Sequence, residues 1–190
     1  MEKTTPNYIE GQGDGGRLTF DRHKITLLLD ILLKDSDVDV VKDIAEKEGL
    51  SRKIDFHITL IGSKTGQAIL EKLSKLPEEE KEKVILSIEA LANDFDWSYE
   101  LIPEYYSISK KHKSGDEGGE ELRKSIIQPI ALPDLALFYE KLNELIGSDF
   151  DIPFPHMTLF TTSTNEVTKL RGIGIYSEKE FEALNPERLT

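Results

Sequence analysis

One four-residue pattern, His-x-Thr-Leu, occurs twice in this chain and constrains its fold more than any other feature. The two copies occupy residues 57–60 (HITL) and 156–159 (HMTL). Each copy lies in a stretch of β-branched and apolar residues that predicts a strand, about 8–10 residues after a predicted helix. We therefore predict two related α/β halves that face each other.

The spacing inside each motif has a direct structural meaning, because alternate residues of a strand point to the same face. His57 and Thr59 are expected to project together, with a rise of about 6.6 Å between them. Ile58 and Leu60 are expected to enter the core on the other face. The second motif, residues 156–159, repeats this arrangement. If the two strands are neighbours, two imidazoles and two hydroxyls converge on one cleft.

Such a cleft suits phosphodiester chemistry. A neutral imidazole takes a proton from the attacking oxygen, and an imidazolium protonates the departing oxygen. The ordinary imidazole pKa of about 6.5 makes both forms accessible near neutral pH. Threonine hydroxyls can donate to the non-bridging phosphate oxygens. Two alternatives remain open at this point, namely a purely structural pair of histidines and a metal site with Asp55 as a third ligand.

The remaining sequence predicts an α+β domain over residues 17–190, with lobes roughly at 17–96 and 97–190. Residues 1–16, with four glycines, predict a flexible N-terminal segment, and the charged residues 110–121 predict a solvated hairpin tip. Helices are predicted over 38–48 (N-cap Asp37), 66–75, 78–92, 133–146 and 177–184 (capping box Ser177 and Glu180). One or two strands are predicted over 18–33, and others over 54–61, 97–109, 122–131, 156–162 and 171–176.

The two motifs resemble the signature of the 2H phosphoesterase superfamily, the LigT-like enzymes with two H-x-[Ser/Thr]-apolar motifs. Pro155, directly before the second motif, also matches the common form of that signature. The resemblance implies a bilobal α+β fold, with two pseudo-symmetric antiparallel-sheet lobes and outer helices around a central cleft. It implies metal-independent catalysis without a cofactor, acting on 2′,3′-cyclic phosphates or other phosphodiesters. The catalytic residues that it implies are His57, Thr59, His156 and Thr158.

A phosphate cleft requires local positive charge, and nucleotide bases require stacking surfaces. Lys53 shares strand parity with His57, and Arg171 begins a predicted strand soon after the second motif. Aromatic candidates for stacking are Tyr105, Tyr106 and Phe154, each of which also suits the core. These five residues are the predicted substrate-binding set.

The other two histidines fit the chemistry less well. His112 begins a superficial repeat, H-x-Ser, but Gly115 follows and the segment reads as a loop. His23 has Thr26 at an offset that places the two on opposite faces of a strand. We predict that His112 is not catalytic and that His23 is a surface or structural residue.

Charge restricts the partners. The chain carries 24 Lys and Arg against 36 Asp and Glu, a formal net charge of −12, and no cysteine. A field of this sign repels polyphosphate, which favours a small nucleotide or short oligonucleotide over a long duplex. No segment resembles a signal peptide or a membrane span, so we expect a cytoplasmic monomer with no membrane partner. Two rival functions are a non-catalytic nucleotide-binding module and an acidic protein-interaction domain.

Overall fold

The computed structural model describes residues 7–9, 17–113 and 119–190. The helices are α1 (Asp35–Asp39), α2 (Lys42–Lys47), α3 (Ser63–Leu73), α4 (Glu78–Asn93), α5 (Leu135–Ile146) and α6 (Glu178–Ala183), with a 3₁₀ turn at Glu166–Thr168. The strands are β1 (Asn7–Ile9), β2 (Leu18–Asp21), β3 (Thr26–Ile31), β4 (Ser51–Arg52), β5 (Phe56–Ile61), β6 (Glu100–Leu101), β7 (Tyr106–Lys113), β8 (Glu120–Ala131), β9 (His156–Ser163) and β10 (Glu187–Arg188). The described chain is therefore α+β, as predicted, and the strand pairs described below are antiparallel.

The chain forms two compact units, each assembled from three segments. The first unit takes the described part of residues 1–31 together with 58–100 and 132–153, and the second takes 32–57, 101–131 and 154–190. The predicted lobes, 17–96 and 97–190, are consecutive in the sequence, whereas each unit combines residues from both sides of position 96.

The first unit is built on a β2–β3 hairpin in which alternate residues are buried. Leu18 lies opposite Leu29 and Phe20 opposite Leu27, and all four are at most 1% exposed. Helices α4 and α5 pack against each other, and helix α3 contacts β3. Gly66 lets α3 approach the turn before β3, because a Cβ at this position would lie 2.3 Å from the carbonyl oxygen of Lys24.

Aromatic rings and a buried hydroxyl fix helix α5 within this unit. The rings of Phe95, Trp97 and Phe138 form a cluster with centroids 5.1–5.8 Å apart. The Trp97 indole donates to the carbonyl of Ala92 at 2.7 Å. The Tyr139 hydroxyl donates to the carbonyl of Leu60 at 2.8 Å, which ties α5 to the strand that carries the first motif.

The second unit is organised around β9, which pairs with β8 along one edge and with β4 along the other. Strand β8 pairs with β7, and β7 pairs with β10. Its apolar cluster consists of buried Ile108, Ile127, Ile173 and Ile175 with partly buried Tyr106, Phe154, Phe181 and Leu184 packed against them. The second motif therefore begins a central strand of this unit.

One predicted helix and one predicted capping box need correction. The single helix predicted over 38–48 is divided into α1 and α2, and it begins earlier than expected. Asp37 lies inside α1, where its carboxylate accepts from the backbone N–H of Lys34 at 3.2 Å. The short last helix matches its prediction better, since the Ser177 hydroxyl accepts from the backbone N–H of Glu180 at 3.0 Å. The Glu180 side chain accepts from Tyr176 instead of closing the box on Ser177.

Four other predicted segments differ from the structure. The strand predicted over 97–109 is interrupted between β6 and β7, where Pro103 has no N–H to give to a strand partner. The hairpin tip predicted over 110–121 is shorter than expected, since β7 continues to Lys113 and β8 begins at Glu120, and residues 114–118 between them lie outside the described residues. Residues 7–9 of the predicted flexible segment pair with β2, and the rest of 1–16 lies outside the description. The strand predicted over 171–176 is wrong, because these residues make no strand ladder.

Candidate functional site

Both motifs lie on strands with the predicted alternation. In β5, Ile58 and Leu60 are fully buried, while His57 and Thr59 are only partly buried. In β9, Met157 and Leu159 are fully buried, and His156 and Thr158 are partly buried. Each strand therefore presents an imidazole and a hydroxyl on the face opposite its core residues.

Within the second unit, the start of β9 is fixed by its pairing with β8. His156 lies opposite Pro129, and Thr158 lies opposite Ile127. The backbone N–H of Ile130 donates to the carbonyl of Pro155 at 3.0 Å, which fixes the residue directly before the motif. The register shifts at Ile126/Ile127, beyond the two motif side chains.

The imidazole of His156 is held by backbone and aromatic contacts. Its Nδ1 lies 2.8 Å from the carbonyl oxygen of Phe154, and the carbonyl of Ile173 also hydrogen-bonds to the ring. The Phe154 ring stacks on the imidazole at 6.1 Å between centroids, and Phe181 stacks on Phe154 at 4.0 Å. Burial lowers the pKa of His156 below its ordinary value, and the two carbonyl hydrogen bonds only partly offset this effect.

Residues 170–175, here called the strap, cross the second motif. A Cβ on Gly172 would lie 2.9 Å from the Thr158 hydroxyl oxygen, so the strap backbone and this side chain are in close contact. The carbonyl of Ile173 reaches His156. The strap therefore contacts both chemical side chains of the second motif.

Three of the four predicted catalytic residues belong to the same compact unit. His57, His156 and Thr158 lie in the second unit, whereas Thr59 lies in the first. The convergence of all four side chains on one cleft stays a prediction.

The two predicted cationic residues are related to the strap differently: Lys53 binds it, and Arg171 is part of it. The Lys53 backbone N–H donates to the carbonyl of Leu159 at 2.9 Å, and its ammonium donates to the carbonyl of Leu170 at 2.7 Å. Burial lowers the pKa of Lys53, and the nearby Asp55 carboxylate partly opposes that shift. Arg171 is an exposed residue of the strap. The substrate-binding role of both residues stays a prediction.

The predicted aromatic residues have structural partners. Tyr105 is 8% exposed, and its hydroxyl lies 3.5 Å from the carbonyl of Asp37. The Tyr106 hydroxyl donates to Glu104 at 2.7 Å, and this hydrogen bond raises the pKa of the phenol. Among the three predicted aromatic residues, Phe154 is the one in ring contact with a motif histidine.

His112 lies in β7 rather than in a loop, opposite Glu121 of β8. Its Nε2 is buried and has no hydrogen-bond partner among the described residues. Burial lowers the pKa of His112, the Arg123 and Lys110 cations lower it further, and the Glu121 and Glu180 carboxylates oppose them. His23 is an exposed residue, as predicted.

Sequence reasoning missed the strap and did not single out Arg123, which also contacts it. The Arg123 guanidinium donates to the carbonyl of Gly172 and forms an ion pair with buried Glu121. The alternating sequence RGIGI in residues 171–175 predicts a strand by its apolar period. Its two glycines were the signal for close backbone approach.

Comparisons with family models, curated proteins and solved structures found no match to this chain. Across residues 17–113 and 119–190, no helix is long and apolar enough to cross a bilayer. The same described residues contain no group of three or more His, Asp or Glu side chains arranged to hold a metal ion.

Proposed function

We propose that this protein is a phosphodiesterase that hydrolyses a cyclic nucleotide, a cyclic oligonucleotide or a 2′,3′-cyclic phosphate end without a metal. The observation that carries the proposal is the matched environment of the two motifs. In both strands a partly buried His and Thr share one face, and fully buried apolar residues occupy the other. A pair of imidazoles with adjacent hydroxyls supplies the acid, the base and the phosphate contacts of this reaction.

The direction of the His156 pKa suggests its role, and His57 then takes the complementary role. Burial lowers the pKa of His156, which favours the neutral imidazole that a general base requires. His156 takes the proton of the attacking water, whose oxygen forms the new bond to phosphorus. His57, as an imidazolium, gives its proton to the leaving oxygen as the old phosphorus–oxygen bond breaks. Thr59 and Thr158 donate hydrogen bonds to the non-bridging oxygens.

The finer fold that the sequence resemblance implies belongs to the same proposal. It consists of two pseudo-symmetric antiparallel-sheet lobes with outer helices about a cleft that both motifs line. Lys53 and Arg171 supply positive charge on the substrate side, and Phe154 supplies an aromatic surface. The net charge of −12 favours a small substrate over a long duplex.

A second candidate is a nucleotide-binding module that performs no chemistry. One observation counts against catalysis by His156 and so favours this candidate: the imidazole already has two backbone carbonyls as partners. Such bonds are also expected of a histidine with a structural role.

One assay separates the two candidates. Cyclic mononucleotides, cyclic dinucleotides and an RNA with a 2′,3′-cyclic end are incubated with the protein in excess EDTA, and products are identified by mass spectrometry. We expect at least one substrate to be opened or cleaved, at a rate that EDTA leaves nearly unchanged. Loss of activity in EDTA with restoration by a divalent ion would contradict the metal-free mechanism. Binding with no turnover of any substrate would favour the second candidate.

A further inference from the structure

The strap makes a continuous series of hydrogen bonds although it belongs to no strand ladder. Each of its six backbone carbonyls, from residue 170 to residue 175, has a donor elsewhere in the second unit. The carbonyl of Leu170 accepts from the Lys53 ammonium (2.7 Å), that of Arg171 from the Thr161 hydroxyl (3.0 Å), and that of Gly172 from the Arg123 guanidinium (3.5 Å). The carbonyl of Ile173 has His156 as its partner, that of Gly174 accepts from the Lys110 ammonium (3.3 Å), and that of Ile175 accepts from the Phe154 backbone N–H (3.1 Å). Five of these six donors are side chains.

Three of the donors are cations, and they bind alternate carbonyls. Lys53, Arg123 and Lys110 hold residues 170, 172 and 174 respectively. Lys110 and Arg123 lie directly opposite each other on β7 and β8. Each also has a carboxylate partner, Glu180 and Glu121 respectively. The strap is therefore fastened by charged side chains rather than by a strand partner.

The strap also occupies the chemical side of the second motif. Gly172 lies against the Thr158 hydroxyl, and the Ile173 carbonyl hydrogen-bonds to His156. An imidazole has two nitrogen atoms, and the Phe154 carbonyl holds one of them at 2.8 Å. Phe154 precedes His156 by two residues, so its carbonyl stays with the motif. The Ile173 carbonyl belongs to the strap, so displacement of the strap frees the imidazole from this partner.

We propose that the strap is a gate over the second motif, held closed by Lys53, Lys110 and Arg123, and that it opens to admit a phosphate-bearing ligand. This inference rests on the proposed function, because it concerns access to that same site. Phosphate oxygens carry formal charge, and hydrogen bonds from Lys and Arg to charged acceptors are stronger than those to neutral carbonyls. A ligand that takes over the three cations would release the carbonyls that they hold. Ile173 and Ile175, at 2% and 3% exposed, anchor the closed position.

The gate is tested without ligand by the reaction of each histidine with diethyl pyrocarbonate at pH 7.5, mapped by mass spectrometry. Exposed His23 serves as the internal reference. In the wild-type protein, His156 is expected to react more slowly than His23, because the strap covers it. In the double variant Lys53→Gln, Lys110→Gln, the His156 rate is expected to rise roughly tenfold, since two of the fastening hydrogen bonds are lost.

Two further variants sharpen the test. Gly172→Ala places a methyl group against the Thr158 hydroxyl, and it is expected to raise the His156 rate by displacing the strap. Lys111 is an exposed cation that follows Lys110 in β7 and therefore points to the other face of the strand. Lys111→Gln is expected to leave the His156 reaction rate unchanged. An unchanged His156 rate in both the double variant and Gly172→Ala would overturn the gate. Absence of hydrolysis in the substrate assay would contradict the proposed function and leave this result unaffected.

Discussion

The imidazole of His156 is subject to two opposing effects. Burial disfavours its charged form, whereas hydrogen bonds to the Phe154 and Ile173 carbonyls favour it, and burial is the larger effect. His112 resembles it in having a pKa lowered by burial, but two nearby cations lower that pKa further. Burial therefore lowers the pKa of both side chains in the folded protein.

The lowered pKa values predict how stability changes with pH. Between the folded pKa and the unfolded value of about 6.5, the unfolded state binds more protons, so stability rises with pH. The contribution is complete above the unfolded pKa and is lost as the pH falls below it. We expect the free energy of unfolding, measured by urea denaturation, to be lower at pH 5.5 than at pH 7.5. His112→Gln should reduce that difference, whereas His23→Gln should preserve it; an undiminished difference in His112→Gln would contradict the burial argument.

The threonine hydroxyls are predicted to act on the phosphate rather than on the fold. Thr158→Val and Thr59→Val keep the side-chain shape and remove one donor, so we expect kcat/KM to fall by on the order of 10–10³. Thr162→Val makes the same change in β9 at a position outside the motif, and it should leave kcat/KM within a few-fold. Equal losses in all three variants would indicate damage to the strands instead of a lost phosphate contact.

At the scale of single elements, helix α6 depends on its N-cap. The Ser177 hydroxyl accepts from the Glu180 backbone N–H at 3.0 Å, and Glu180 in turn pairs with Lys110. Ser177→Ala should lower the free energy of unfolding by about 1 kcal/mol, the usual contribution of such a cap. Ser109→Ala, at an exposed position of β7, is the matched control and should change stability little. A Ser177→Ala protein as stable as wild type would mean that water replaces the cap without loss.

Elements with a clear period were predictable from the sequence, and elements defined by distant side chains were not. The alternation in β5 and β9 follows from a two-residue period, and helices α3, α4 and α5 follow from apolar spacing and from Pro77 or Gly147 at their ends. The strap has a strand-like period, but its carbonyls bind side chains from three other parts of the second unit. No local pattern encodes those bonds.

The β7–β8 hairpin shows a different failure. Its charged sequence predicts a solvated hairpin tip over 110–121, yet Lys113 lies opposite Glu120 and His112 opposite Glu121. Lys113 and Glu120 carry opposite charges, which stabilise a strand pair when they lie directly opposite, and this signal could have indicated the longer strands. The sequence predicts a single helix across α1 and α2, because the apolar residues Val38, Val41 and Ile44 continue the helical period through the break.

At the scale of the whole molecule, the net charge of −12 bears on the choice of substrate. An acidic field repels polyphosphate and leaves only short-range contacts for binding. We expect an excess of long duplex RNA to leave hydrolysis of a free cyclic nucleotide unchanged at low ionic strength. Strong competition by the duplex, weakened by added salt, would show that a basic surface outweighs the overall charge.

The central claim is that the two motif histidines act together in one proton-transfer step. The most direct measurement is kcat/KM against pH for wild type, His57→Ala, His156→Ala and the double variant, with His23→Ala as the control and circular dichroism to confirm folding. We expect a bell-shaped wild-type profile, a loss of about 10²–10⁴ in each single variant, and a double variant hardly worse than the worse single one. A folded His57→Ala or His156→Ala variant that kept near-full activity would contradict the account.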